Sequence, residues 1–272
     1  MTTTKGVADM SNTRVCPAFR WLERGEGEPV VLLHGLMGRM DHWEQTLEDL
    51  GGTCRPIAPS LPILEEDLPE TSIAEVGRYV VRFLDALDIP RAVVGGNSLG
   101  GHVALEMALS HRERVSGLIL TGSSGLFERT FTRGVPHRPS EAYVREKMEE
   151  IFFDPRLATP EWVESVRRIV TTHASALRVL RFARAAKRHN IEDRLADIDA
   201  PALLVWGKDD RITPPEVAQR FRALLPDSRL IFLPSCGHAP MLEQPDAFNG
   251  AVAEWLMDTR DRRGAAVAGA VK

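Results

Sequence analysis

The chain has 272 residues, with 34 Lys and Arg against 38 Asp and Glu and 43% hydrophobic residues, enough to bury the core of one large α/β domain carrying an insertion. A formal charge of −4 gives no global pull toward nucleic acid or an anionic membrane surface, the first residues lack the apolar run of a signal peptide, and no stretch reaches the ~18 apolar residues of a membrane span. Cys16, Cys54 and Cys236 are far apart and make no Cys-x-x-Cys pair, so they point to neither a disulfide framework nor a zinc knuckle and suit a reducing, cytoplasmic location.

Residues 1–13 are small and polar and 260–272 have no packing period, so both ends read as disordered tails. Strand patterns over 18–23, 30–33 and 55–58 come first, followed by a helix pattern over 71–87 with Ser72 and Glu75 near its start and Pro90 beyond its end. A strand over 92–95, a helix over 99–110 and an apolar strand over 115–121 continue the alternation. It then stops. From 123 to 198 the sequence is helical and strongly charged, as in 141–151 and 160–170, and this stretch reads as an inserted helical cap. The rhythm resumes with a strand over 202–206, a helix over 214–225 that opens on Pro214 and Pro215, a strand over 229–233 and a helix over 245–257. Apolar strands alternating with helices predict a mostly parallel sheet covered by helices on both faces, built from 14–122 and 199–259, with ligands beyond the carboxyl ends of the strands.

At one such strand end stands Gly96-Asn97-Ser98-Leu99-Gly100, between a strand pattern and a helix pattern. A serine hydroxyl is a poor nucleophile until it is pushed out of the backbone toward a base, and a sharp strand-to-helix turn does that mechanically. The flanking glycines suit a turn in which a Cβ would strike the neighbouring strand or helix. The base is sought among eight histidines, and His238, just past the strand over 229–233, lies on the correct rim. A carboxylate at another strand end must then hold the imidazole in one tautomer. Asp209 and Asp210 both follow the strand over 202–206, and spacing does not choose between them. The amide of Leu99, at the positive end of the helix behind the serine, is one candidate donor to an oxyanion.

From about Ala18 to Met257 the chain resembles the α/β-hydrolase fold family. The resemblance rests on His34-Gly35-Leu36-Met37-Gly38 after a buried strand, the Ser98 elbow, the segment from Trp206 to Pro214, and Gly237-His238, in the order Ser, acid, His. It implies an α/β-hydrolase fold with an inserted helical cap, and a catalytic set of Ser98, Asp210 and His238, because the family's Gly-x-x-Asp with a proline four residues on falls on Gly207, Asp210 and Pro214. By the same resemblance Leu36 supplies the second oxyanion amide, with Met37 as substitute, and His34, Gly35, Met37, Asn97, Arg167 and Ala239 line the substrate. The implied reaction is cofactor-independent hydrolysis of a small or medium carboxylic ester.

Two alternatives stand beside it. Hydrolases that cleave carbon–carbon bonds in ring-fission products have a similar Gly-Asn-Ser elbow and a similar cap, in which Arg167 or Arg168 falls near their substrate arginine. This chain departs from them in Leu36-Met37, where they carry a glycine-rich loop, and in Ala239, where they carry a tryptophan. The other alternative is a hydrolase-fold small-molecule receptor with vestigial turnover. Arg178, Arg181, Arg184, Lys187 and Arg188 fall at helical spacing and form a basic stripe, read as a solvated face or as the rim of the site mouth. No metal-ligand spacing and no phosphate loop is present, so neither a metal nor a cofactor is expected.

Overall fold

The structure is a computed structural model in which residues 13–64, 68–127 and 139–270 are described, with side chains up to Arg262. Eight strands form one sheet: β1 (Thr13–Cys16), β2 (Phe19–Glu23), β3 (Pro29–Leu33), β4 (Arg55–Pro59), β5 (Ala92–Asn97), β6 (Val115–Thr121), β7 (Ala202–Gly207) and β8 (Ser228–Leu233). Their spatial order is β1-β2-β4-β3-β5-β6-β7-β8. The pairs β1–β2 and β2–β4 are antiparallel, and every pairing from β4 across to β8 is parallel.

Because side chains alternate across a strand, each central strand feeds two cores. Val31 and Leu33 of β3, Val94 of β5, Leu118 and Leu120 of β6, and Leu204 and Trp206 of β7 enter one apolar cluster. There they meet Val76, Val80 and Phe83 of α2 (Ile73–Ala86), Val103, Ala104 and Met107 of α3 (Leu99–Ser110), and Phe221 of α7 (Pro215–Leu224). The residues between them, Val30, Leu32, Val93, Ile119, Leu203 and Val205, enter a second cluster on the opposite face. That cluster is closed by Leu47 and Leu50 of α1 (Glu44–Leu50) and by Phe248, Val252 and Trp255 of α9 (Pro245–Ala270). The sheet is therefore covered on both faces, as the near-continuous apolar strands require.

Among the described residues no strand lies between Thr121 and Ala202. Helices α4 (Glu141–Glu149), α5 (Pro160–Thr171) and α6 (His173–Arg188) occupy that interval. They span the two cores at the carboxyl edge of the sheet: Val144, Met148 and Val163 pack into the second cluster with Leu233, Ala239 and Met241, while Phe182 and Ala186 pack into the first. Side-chain caps start the first two of these helices, with Ser140 Oγ accepting from the Tyr143 amide and Thr159 Oγ1 from the Trp162 amide.

Among the elements that differ from the sequence reading, three have a clear local cause. Helix α1 was not expected, although Trp43, Leu47 and Leu50 stand at helical spacing and bury one face. Strand β1 is short and half-exposed, so it has no alternation to read, and its register against β2 defines it. The last helix continues to Ala270, past the expected boundary at 260, over a segment rich in alanine, the best helix former. Of the expected tail over 1–13, residues 1–12 lie outside the described residues and Thr13 opens β1. Among the described residues no helix is long and apolar enough to cross a membrane.

Candidate active site

Strand β5 ends at Asn97, and helix α3 begins at Leu99, leaving Ser98 alone to turn the chain. Ser98 has φ 55 and ψ −116, a left-handed region that costs a non-glycine residue of order 1–3 kcal/mol and persists only where its surroundings hold it. They do so here with three backbone hydrogen bonds: the Ser98 amide donates to Thr121 O (3.1 Å), and the Ser98 carbonyl accepts from the His102 (3.2 Å) and Ser124 (3.2 Å) amides. The turn also needs close backbone approach, since a Cβ on Gly100 would lie 2.2 Å from the carbonyl oxygen of Leu33. Ser98 is half-buried, while every residue of α3 from Leu99 to Leu109 is buried behind it.

The acid and the imidazole arrive on loops after β7 and β8. His238 Nδ1 lies 2.9 Å from Asp210 Oδ2, and both side chains are buried. The other oxygen of Asp210, Oδ1, accepts the backbone amides of Ile212 (2.8 Å) and Thr213 (2.9 Å), and Thr213 Oγ1 donates to Oδ2 at 2.8 Å. This carboxylate is thus fixed from four directions. Asp209, which spacing left equal to it, is exposed, and its amide donates to the Cys236 carbonyl. Geometry separates the two.

Asn97 ties the serine turn to the histidine loop. Its Nδ2 donates to Thr121 O (3.1 Å) and to His238 O (2.9 Å), so the residue before Ser98 holds the main chain of His238. Gly122, which follows Thr121 at φ 52, lies against the imidazole, where a Cβ would come within 2.7 Å of His238 Nδ1. Gly35 closes the opposite side, with its Cβ position 3.4 Å from Ser98 Cβ. The Gly38 amide donates to Gly35 O (3.0 Å), making a tight turn whose own hydrogen bond leaves out the amides of its central residues, Leu36 and Met37. The Leu99 amide stands at the first position of α3, where a helix offers no acceptor of its own. Leu36 and Met37 are half-buried.

Besides Asn97, two further residues chosen from the sequence for the substrate are engaged within the fold. The Leu61 amide donates to His34 Nε2 at 2.9 Å, which leaves the proton on Nδ1, and Nδ1 donates to Gly35 O at 2.9 Å. Burial lowers the His34 pKa to about 4, so the neutral ring acts as a stitch between the ends of β3 and β4. Arg167 makes a two-pronged pair with Glu164 on its own helix, Nε–Oε2 2.6 Å and Nη2–Oε1 3.0 Å, and Arg168 donates to the same carboxylate. Ala239 is buried among apolar neighbours that include the second core. On α6, Arg181, Arg184, Lys187 and Arg188 are exposed. Burial pushes the Cys236 thiol up, away from the thiolate form, so it is packing. Among the described residues no group of three or more His, Cys, Asp and Glu could hold a metal ion.

The sequence reading did not single out Thr213 or Glu243. Thr213 stands three residues after Asp210, a spacing at which a short acid recurrently captures nearby amides and hydroxyls. Glu243 carried no such local signal.

A strained serine on a strand-to-helix turn, whose preceding residue is bonded to the main chain of a histidine backed by a buried carboxylate, narrows the choice of families, and a model of the alpha/beta hydrolase family matches residues 30–251. The chain is an alpha/beta hydrolase. This hydrolase is similar to the dihydrolipoyllysine-residue acetyltransferase component of the acetoin cleaving system of Pseudomonas putida, 31% identical over 251 residues that cover 88% of the chain and 66% of that protein. It is also similar to the 2-hydroxy-6-oxononadienedioate/2-hydroxy-6-oxononatrienedioate hydrolase of Comamonas testosteroni, 28% identical over 86% of the chain and 89% of that protein. Among solved structures it resembles MGS-MChE2, an alpha/beta hydrolase enzyme from a sediment metagenome of the Mar Chica lagoon, Morocco. That likeness has a TM-score of 0.74 at 33% identity and covers 92% of this hydrolase and 99% of the other chain.

Proposed function

We propose that this hydrolase cleaves a small or medium carboxylic ester through an acyl-enzyme on Ser98. The observation that carries the reading is the buried 2.9 Å contact of His238 Nδ1 with Asp210 Oδ2, on a loop that Asn97 ties to a serine held at positive φ. Asp210 keeps the His238 proton on Nδ1, so Nε2 is the nitrogen that takes the Ser98 proton as Oγ attacks the carbonyl carbon. The oxyanion accepts hydrogen bonds from the Leu99 and Leu36 amides, each worth about 10²- to 10³-fold in rate. His238 returns the proton to the departing alcohol. Water then enters, His238 takes its proton as the oxygen attacks the acyl carbon, and on collapse of the intermediate the Ser98–acyl bond breaks, the acid leaves and His238 returns the proton to Ser98 Oγ. The helices between β6 and β7 roof this site as a cap.

A second reading, hydrolysis of a carbon–carbon bond in a vinylogous diketo acid by the same serine and histidine, is favoured by the likeness to the Comamonas testosteroni hydrolase and by Asn97 before Ser98. Against it weigh the pairing of Arg167 with Glu164, which occupies the cation that would hold the substrate carboxylate, and Ala239 where those enzymes carry tryptophan. The test is a series of p-nitrophenyl esters of rising acyl length beside a ring-fission dienolate, with Ser98→Ala as control. Ester turnover that vanishes in the control supports the first reading, and bleaching of the yellow dienolate without ester turnover replaces it with the second.

A further inference from the structure

The catalytic-side loop after β8 is held from an unexpected direction. Glu243, at the end of α8 (Pro240–Glu243), turns its half-buried carboxylate back under residues 237–239. Its Oε2 accepts the Gly237 amide (2.9 Å) and its Oε1 the Ala239 amide (3.1 Å), so the two residues flanking His238 are both fixed by one side chain. The same Oε2 accepts a third amide, that of Phe153, 90 residues away in the helical insertion (2.8 Å). Between these, the His238 amide donates to the carbonyl of Ile151 in that insertion (2.8 Å). All three consecutive amides around the imidazole are therefore accounted for by Glu243 and by the segment 151–153. The fit is close: a Cβ on Gly237 would lie 2.6 Å from Ile151 O and 2.8 Å from the Phe153 amide nitrogen.

A carboxylate has the acceptor capacity for three N–H donors, and such charge-assisted bonds are roughly twice as strong as neutral ones. The main chain of His238 is then bonded at its nitrogen by Ile151 and at its oxygen by Asn97, while the loop's rotation about that axis is set by Glu243. We propose that Glu243 is a positioning residue: it aims the His238 imidazole and makes the seating of the 151–153 segment and the placement of that imidazole a single event. This rests on the serine-hydrolase reading above. It also predicts that the insertion stays seated at 151–153 during turnover, because lifting it there would free the His238 amide.

Glu243→Gln tests the inference. If the amide oxygen takes the place of Oε2 it keeps the Gly237 and Phe153 bonds, and its NH2 then faces the Ala239 amide, donor against donor. Misplacement on this scale costs up to roughly 100-fold in rate. The expected result is a fall in kcat of that order with KM nearly unchanged, and an equal fall in the rate at which a fluorophosphonate labels Ser98, in protein that still unfolds cooperatively. Glu243→Asp, which keeps the charge, recovers part of both rates. If Glu243→Gln unfolds at lower temperature but labels and turns over at the wild-type rate, the carboxylate is only structural and the inference fails while the serine-hydrolase reading stands. If the wild-type chain itself takes no label, both fail.

Discussion

Replacing Asp210 by Asn separates orientation of the histidine from mere burial of a polar group. In the structure Oδ1 accepts two backbone amides, and Oδ2 faces His238 Nδ1 at 2.9 Å and the Thr213 hydroxyl at 2.8 Å. An Asn side chain must choose which end carries the NH2. With NH2 at the Oδ1 position, two buried N–H donors lose their acceptor, at about 1–3 kcal/mol each. With NH2 at the Oδ2 position two contacts are affected, but both partners can adapt: the Thr213 hydroxyl rotates to accept, and the imidazole moves its proton from Nδ1 to Nε2. The second arrangement is cheaper, and it leaves Nε2 unable to accept the serine proton. Serine–histidine–acid systems lose about 10⁴-fold in kcat from this change of tautomer, equivalent to about 5.4 kcal/mol of activation free energy. Steady-state hydrolysis of a p-nitrophenyl ester gives the number, and thermal unfolding shows whether the variant is folded. Asp209→Asn is the control, and it is expected to stay within about threefold of wild type because its side chain is exposed. A folded Asp210→Asn within about tenfold of wild type, or a larger loss in the Asp209 variant, refutes the reasoning.

Three further outcomes follow from the same structure. Ser98→Ala removes ester turnover and leaves the fold intact, and it relieves some strain only if the backbone at φ 55 relaxes, so its unfolding temperature should stay close to wild type. Residual full activity would overturn the assignment. Gly100→Ala places a Cβ 2.2 Å from Leu33 O, and since backbone cannot step aside cheaply, soluble expression is lost or the unfolding temperature drops steeply. A well-folded, active Gly100→Ala would contradict the tight turn. Acid should destabilise the chain well before carboxylates titrate. Burial lowers the pKa of His34 to about 4 and of His102 to about 3, so between pH 6.5 and those values the unfolded chain binds protons that the native one does not. Stability is complete above pH 6.5 and declines as pH falls, by roughly 2 kcal/mol per histidine on reaching pH 5. Urea midpoints that stay level between pH 7 and pH 5 would show that the rings are solvated.

What could be read from the sequence was what local chemistry dictates. Gly96 to Gly100 between a strand pattern and a helix pattern marked the serine turn, because that geometry needs glycine at fixed offsets, and His238 was marked by the strand that precedes it. The parallel core was legible because β5, β6 and β7 are buried along their whole length. Spacing alone left Asp209 and Asp210 equal, and the choice of Asp210 came from the family resemblance; in the structure the Ile212 and Thr213 amides capture Oδ1 of Asp210 and turn that carboxylate inward. His34 and Arg167 were assigned to the substrate by likeness; Glu164, three residues before Arg167 on one helix, was legible as its partner from spacing, whereas the Leu61 amide that engages His34 becomes visible only in three dimensions. Glu243 escaped for the same reason. Its partners are backbone amides, which have no sequence signature, and one of them lies in a different part of the fold.

The central claim is that one hydroxyl is made reactive by its turn and its imidazole. The most direct measurement is to treat the chain with a fluorophosphonate and map the adduct by peptide mass spectrometry, comparing wild type, Ser98→Ala and His238→Ala. The account predicts a single phosphonyl adduct on Ser98, absent in Ser98→Ala and formed far more slowly in His238→Ala. An adduct on another residue, none at all, or equal labelling without His238 would contradict it.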